Sequence, residues 1–166
     1  EIRKRHDPKV RRWMPHITMI YPFVVREQFA AVAARIEPIC RQLEPIDLVL
    51  GRIETFRHRH ERYTLWLAPE PVEPLVSLHD ALWRAVWNTE PPARRFRPHL
   101  SIGRVEGHQA RQRLVDELTA RWQPLRCRID RLSLIWRSEP PEDVFRIGVD
   151  IPFRQNGMPL NETNCL

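Results

Sequence analysis

One short pattern occurs twice in this chain. Residues 11–20 read RRWMPHITMI and residues 94–102 read RRFRPHLSI. Aligned, they match Arg12 with Arg95, Trp13 with Phe96, Pro15 with Pro98, His16 with His99, Ile17 with Leu100, Thr18 with Ser101 and Met19 with Ile102. The copies lie about half of the 166-residue chain apart. An internal repeat constrains the fold more than any local propensity does, because equivalent units must bury their apolar sides together.

The remaining sequence fills in those units. From Phe29, the residues Phe29, Val32, Ala33, Ile36, Ile39, Cys40 and Leu43 recur at helical spacing, with Pro38 expected to kink or interrupt the helix. Residues 46–56 and 63–68 are rich in β-branched and aromatic side chains and flank the charged RHRHER, which predicts two strands and a hairpin loop. Leu75, Leu78, Leu82 and Val86 mark a second helix, and Ala110, Leu114, Leu118 and Trp122 a third. Two more strands are predicted over 127–137 and 144–151. In the last, Phe145, Ile147, Val149 and Ile151 face one way and Arg146, Gly148 and Asp150 the other. With each histidine motif as an opening strand, the order is a β-α-β-β unit used twice. Such halves combine their sheets, cover the outside with helices and leave a concave inner face, so the fold class is α+β. One domain is expected over residues 1–153, with a loose tail over 154–166.

Side chains two apart on a strand share a face, so His16 and Thr18 point one way while Ile17 and Met19 point the other. His99 and Ser101 do the same opposite Leu100 and Ile102. An imidazole and a hydroxyl from each half then meet across a pseudo-twofold cleft. Imidazoles titrate near about 6.5, so one can take a proton while the other donates one. The hydroxyls can donate to non-bridging phosphate oxygens whose charge grows in the transition state. A lone histidine beside a β-branched run is usually structural; two copies with matching flanks favour catalysis. Each motif offers one metal ligand and neither has a neighbouring carboxylate, whereas catalytic zinc uses three protein ligands. No metal and no cofactor is expected. His58 and His60, in RHRHER, are assigned to a solvated hairpin tip in preference to a ligand pair, with contact to RNA phosphates as the reading in between. His6, His79 and His108 have no repeated context.

The 27 Lys and Arg against 21 Asp and Glu give a net charge of +6. An arginine-rich excess suits polyanions, although it serves solubility equally well. No apolar run approaches the roughly 18–20 residues that span a bilayer, and EIRKRHDPKVRRW lacks the apolar core of a secretory signal. Cys40, Cys127 and Cys165 are odd in number without a C-x-x-C pair, which favours a reducing compartment, the cytoplasm. The chain starts at Glu1 without an initiator methionine, and an upstream element is expected to have been lost.

With PHITMIYPF and PHLSIGRV, the sequence resembles the 2H phosphoesterase superfamily, which includes the LigT-like 2′-5′ RNA ligases and cyclic phosphodiesterases. EPIDLVLGRIETF followed by YTLWLAPEP is similar to the family's middle strands, and IDRLSLIWRSEPPEDVF to its closing hairpin. The resemblance implies one 2H domain, a bilobed, duplicated sandwich of two pseudo-symmetric lobes with two antiparallel sheets around a V-shaped cleft. It implies His16, Thr18, His99 and Ser101 as catalytic residues, with His99 the base and His16 the acid. It places Phe56 and Trp136 where the family has aromatics near the cleft; Arg137, on the face opposite Trp136, is the better phosphate candidate. The implied activity opens 2′,3′-cyclic phosphate ends of RNA or nucleotides to a 2′-phosphate. Alternatives are 2′-5′ RNA ligation by the same site and a non-catalytic RNA-binding module. The partners are then RNA ends or cyclic nucleotides, with no membrane, and a monomer is expected. Family members usually carry a strand before the first motif's segment, and here it is expected to be missing or shortened.

Overall fold

The computed structural model describes residues 1–93, 96–139 and 144–154. Arg95 of the repeat, Cys165 and the tail from residue 155 onward lie outside the described residues. The elements in order are α1 (Ile2–His6), a 3-10 turn (Arg26–Gln28), α2 (Phe29–Cys40), β1 (Ile46–Arg57), β2 (Arg62–Glu70), α3 (Glu73–Trp87), β3 (Leu100–Glu106), α4 (His108–Arg121), β4 (Leu125–Ile129), β5 (Arg131–Arg137) and β6 (Phe145–Pro152). Four strands form an antiparallel sheet in the order β3-β2-β1-β4, and β5 pairs with β6 in a second sheet. The α+β class holds.

The helices bury the predicted apolar stripes. Phe29, Val32, Ile36 and Cys40 of α2 meet Leu75, Leu78, Leu82 and Val86 of α3, together with Leu134 and Ile151 of the second sheet. A second core joins Leu50, Leu65, Leu67 and Ile102 of the large sheet to Leu118 of α4. Each such side chain contributes about 1.5–3 kcal/mol on burial. Pro38 stands inside α2 close to its end. Asn88 closes α3 in the left-handed conformation, with φ 54°, which satisfies the carbonyl of Arg84.

Three features depart from the expected β-α-β-β pair. First, the PHIT segment is extended but forms no strand; Ile17 makes an isolated antiparallel bridge to Leu100. Pro15 and Pro22 bracket this run, and neither can donate to a ladder. Second, the single strand expected over 127–137 is divided at Asp130: β4 pairs with β1 in the large sheet, and β5 pairs with β6 in the small one. The large sheet thus takes β1 and β2 from the first half of the chain and β3 and β4 from the second. Third, the expected alternation of β6 breaks. Leu134 pairs with Val149 and Ile135 with Ile147, so Gly148 is an extra residue. Consecutive partners face opposite ways, which turns Ile147 outward to 51% exposure. A Cβ on Gly148 would lie 3.0 Å from the Phe29 ring, so the bulge and the glycine go together.

The helix α1 is absent from the expected elements. It packs on β3 at Gly103, where a Cβ would come within 2.9 Å of His6 Cβ. Arg3 fastens it, donating from Nε to Asp7 and from a terminal nitrogen to the carbonyl of Trp13, three residues before His16.

Candidate active site

The Ile17–Leu100 bridge joins the central residues of the two motifs. Its antiparallel sense sets His16 beside Ser101 and Thr18 beside His99. All four line one cavity of about 230 Å³, with Trp13, Phe56, His58, Thr64, Arg3 and Arg104 among the other walls. A larger cavity of about 350 Å³ lies against the same His16 segment, but leucines of α3 and residues of β5 line it and His99 does not reach it.

Both imidazoles are held in the same way. His16 Nδ1 lies 2.7 Å from the carbonyl of Met14, and His99 Nδ1 lies 2.9 Å from the carbonyl of Arg97. A carbonyl can only accept, so Nδ1 carries the proton in both rings. That leaves Nε2 of each histidine for a substrate, as acceptor when the ring is neutral and as donor when it is charged. Each bond reaches back two residues, so the repeat in sequence is a repeat in tautomer.

The surroundings differ. His99 meets the ring edges of Phe56 at 4.9 Å and Trp66 at 5.8 Å, and those two rings stack on each other at 4.7 Å. Arg97 lies over Trp66 at 4.8 Å and over Phe56 at 5.4 Å, and it pairs with Glu54. Desolvation by this burial lowers the His99 pKa below the ordinary imidazole value. The bond to the Arg97 carbonyl opposes the shift, while positive charge at His16 and Arg97 adds to it. His16 has one ring against it, Trp13 at 5.2 Å, which stacks in turn on Phe145 at 5.3 Å.

Thr18, Ser101 and Phe56 stand where the sequence puts them, beside the two histidines. Trp136 and Arg137 are not walls of this cavity. Trp136 packs beside the first core with the Arg26 guanidinium 4.0 Å over its ring. Arg137 lies over Phe145 at 5.6 Å. β5 itself alternates without interruption, so Trp136 faces the first core with Leu134, and Arg137 the opposite side with its partner Phe145.

Three wall residues go beyond the sequence reading. Arg104 lies three residues from Ser101, yet both face the cavity, because β3 has a bulge: Leu65 pairs with Gly103 and Trp66 with Ser101, leaving Ile102 extra. Thr64 pairs with Phe56 on one side and Arg104 on the other. His58, assigned above to a solvated tip, instead turns into the cavity and hydrogen-bonds Thr64 Oγ1 at 2.9 Å. The signal was the run Glu54, Phe56, His58: β1 continues to Arg57, so His58 extends the face that carries Phe56. Among the described residues, no three His, Cys, Asp or Glu side chains gather as a metal site would need.

Two histidine–hydroxyl pairs in one cleft are the arrangement that the resemblance implied, and residues 1–141 match the family described as the 2′-5′ RNA ligase superfamily. The chain belongs to that superfamily. Its similarity to named relatives points the same way. A provisionally named phosphoesterase of Bacillus licheniformis is 25% identical over 136 residues, 81% of this chain and 79% of that protein. One of Oceanobacillus iheyensis is 24% identical over 140 residues, 82% of this chain and 79% of the relative. One of Geobacillus kaustophilus is 31% identical over 103 residues, 61% of this chain and 58% of the relative. As a member of the 2′-5′ RNA ligase superfamily, the chain has relatives that carry phosphoesterase names, in keeping with the 2H phosphoesterases. No helix among the described residues is long and apolar enough to cross a membrane.

Proposed function

We propose that this protein is a metal-independent phosphodiesterase that opens the 2′,3′-cyclic phosphate at an RNA or nucleotide end to a 2′-phosphate. The observation that supports it most is the matched pair of Nδ1–carbonyl bonds, which commits both Nε2 atoms to the cleft. His99, whose lowered pKa favours the neutral ring, accepts a proton from water as its oxygen attacks phosphorus. The bond from phosphorus to O3′ breaks, and O3′ takes the proton from His16 Nε2. Thr18 and Ser101 donate hydrogen bonds to the non-bridging oxygens. Trp136 and Arg137 have no part in this reading.

The family description favours one second reading, in which the 5′-hydroxyl of another RNA replaces water and a 2′-5′ linkage forms. A silent RNA-binding module fits less well, since both histidines and both hydroxyls are intact. The protein acts as a monomer in the cytoplasm in this reading; the cytoplasmic address rests on its odd, unclustered cysteines.

The test is incubation with 2′,3′-cyclic nucleotides and with cyclic-phosphate-ended RNA, in excess chelator, with and without a 5′-hydroxyl RNA. Hydrolysis to the 2′-phosphate persists in chelator. Activity lost to chelator and restored by zinc or manganese overturns the two-histidine mechanism, and a 2′-5′ joined product selects the ligase reading.

A further inference from the structure

The cavity holds more hydrogen-bond donors than one phosphate can use. Two imidazoles and two hydroxyls serve the reacting group. His58, Thr64 and Arg104 are left over, on the same walls. Among the described residues no acidic side chain lines this cavity, and Arg3 is already tied to Asp7 and the Trp13 carbonyl.

These residues form a second row across the sheet. Glu54, Trp66 and Ser101 are mutual partners in one row, and Phe56, Thr64 and Arg104 in the next, with His58 two residues beyond Phe56. Successive rows on one face are about 7 Å apart, two residues of strand, which is comparable with the breadth of one ribose. Thr64 is only 8% exposed, and its hydroxyl meets His58 Nε2 at 2.9 Å. Either sense of that bond leaves a donor. If Nε2 donates, the threonine hydroxyl keeps its proton for a ligand; if threonine donates, the proton of the neutral ring is on Nδ1.

We propose that His58, held by Thr64 and flanked by Arg104, binds a second phosphate, the one on the 5′ side of the terminal ribose. It thereby selects RNA ends and 5′-phosphorylated nucleotides over bare nucleoside cyclic phosphates. This rests on the reading that the cleft takes a ribose with a 2′,3′-cyclic phosphate.

The test is calorimetric titration of the full chain with two product forms, adenosine 2′-monophosphate and adenosine 2′,5′-bisphosphate, neither of which turns over. The bisphosphate binds at least about tenfold tighter, as expected of charge-assisted bonds. His58→Ala removes most of that preference, and Thr64→Val reduces it. His58→Gln, which keeps an N–H donor, retains part of it. Melting curves show that the variants fold, and the exposed edge position of His58 makes its two variants the ones to rely on should Thr64→Val not fold. Equal affinity of the wild type for the two ligands overturns the subsite, as does a preference unchanged in His58→Ala. If the monophosphate binds and the bisphosphate is no tighter, only the subsite falls; if neither binds, the cyclic-phosphate reading falls with it.

Discussion

His16 and His99 are the same residue in the same motif, and the protein treats them differently. Both donate Nδ1–H to the carbonyl two residues back. Only His99 lies against two stacked rings capped by an arginine, and its charged form is disfavoured there. Duplication of the motif supplies two matched imidazoles, and in the proposed mechanism the packing around them sets the direction of proton transfer. A symmetric pair has no preferred direction of proton transfer; a pair with one desolvated member does.

The largest effects should come from removing either member. His16→Ala and His99→Ala are each expected to lower kcat/KM by roughly 10²- to 10⁴-fold, and each should abolish the opposite limb of the pH–rate profile. A substrate whose leaving group needs no protonation should rescue His16→Ala and leave His99→Ala slow. Rescue of His99→Ala instead would reverse the assignment. Next in size, Thr18→Ala and Ser101→Ala should each cost about 10²-fold in kcat and keep both limbs, because hydroxyls stabilise charge without titrating here.

Smaller changes sharpen the comparison. Phe56→Leu lets water closer to His99 and raises its pKa toward the ordinary value. The base must be neutral, so the rising limb of the profile moves to higher pH, while Trp13→Leu leaves that limb in place. The smallest expected effect is on stability. The unfolded chain protonates His99 more readily than the folded one does. The contribution is therefore complete above the ordinary imidazole pKa and is lost as pH falls through the lowered folded value. Denaturant titrations at successive pH values should show a shallower loss in His99→Asn than in the wild type.

The legible parts of this molecule are those with an unbroken period. Leu75, Leu78, Leu82 and Val86 of α3 recur at helical spacing and all four are buried. His16 and Thr18, like His99 and Ser101, lie within three residues, too short a span for a bulge to intervene, and all four reach one cavity. Longer counts failed where the backbone gained a residue. Alternation puts Ile147 on the face of Val149, and the extra residue Gly148 turns it away, whereas Trp136, which only the resemblance sets near the cleft, packs beside the first core. The division at Asp130 has no signature in RCRIDRLSLIW, because both halves are equally strand-like and only the partner changes. His58 was concealed by composition: a run of arginines and a glutamate reads as a solvated turn, although the turn begins after it. The PHIT segment has the residues of a strand, yet prolines on either side deny it a ladder.

The extra residue Ile102 carries a consequence for how such motifs are recognised. In an unbroken strand, whatever collaborates with His99 and Ser101 stands at even offsets from them. Ile102 resets the count, so Arg104 joins the cavity at the odd offset of five from His99 while Gly103, at four, faces α1. A search that assumes one parity throughout would discard the arginine and keep the glycine. Deleting Ile102 would restore a single parity, with Arg104 at the even offset of four from His99, its guanidinium still on the cavity face and Gly103 still toward α1.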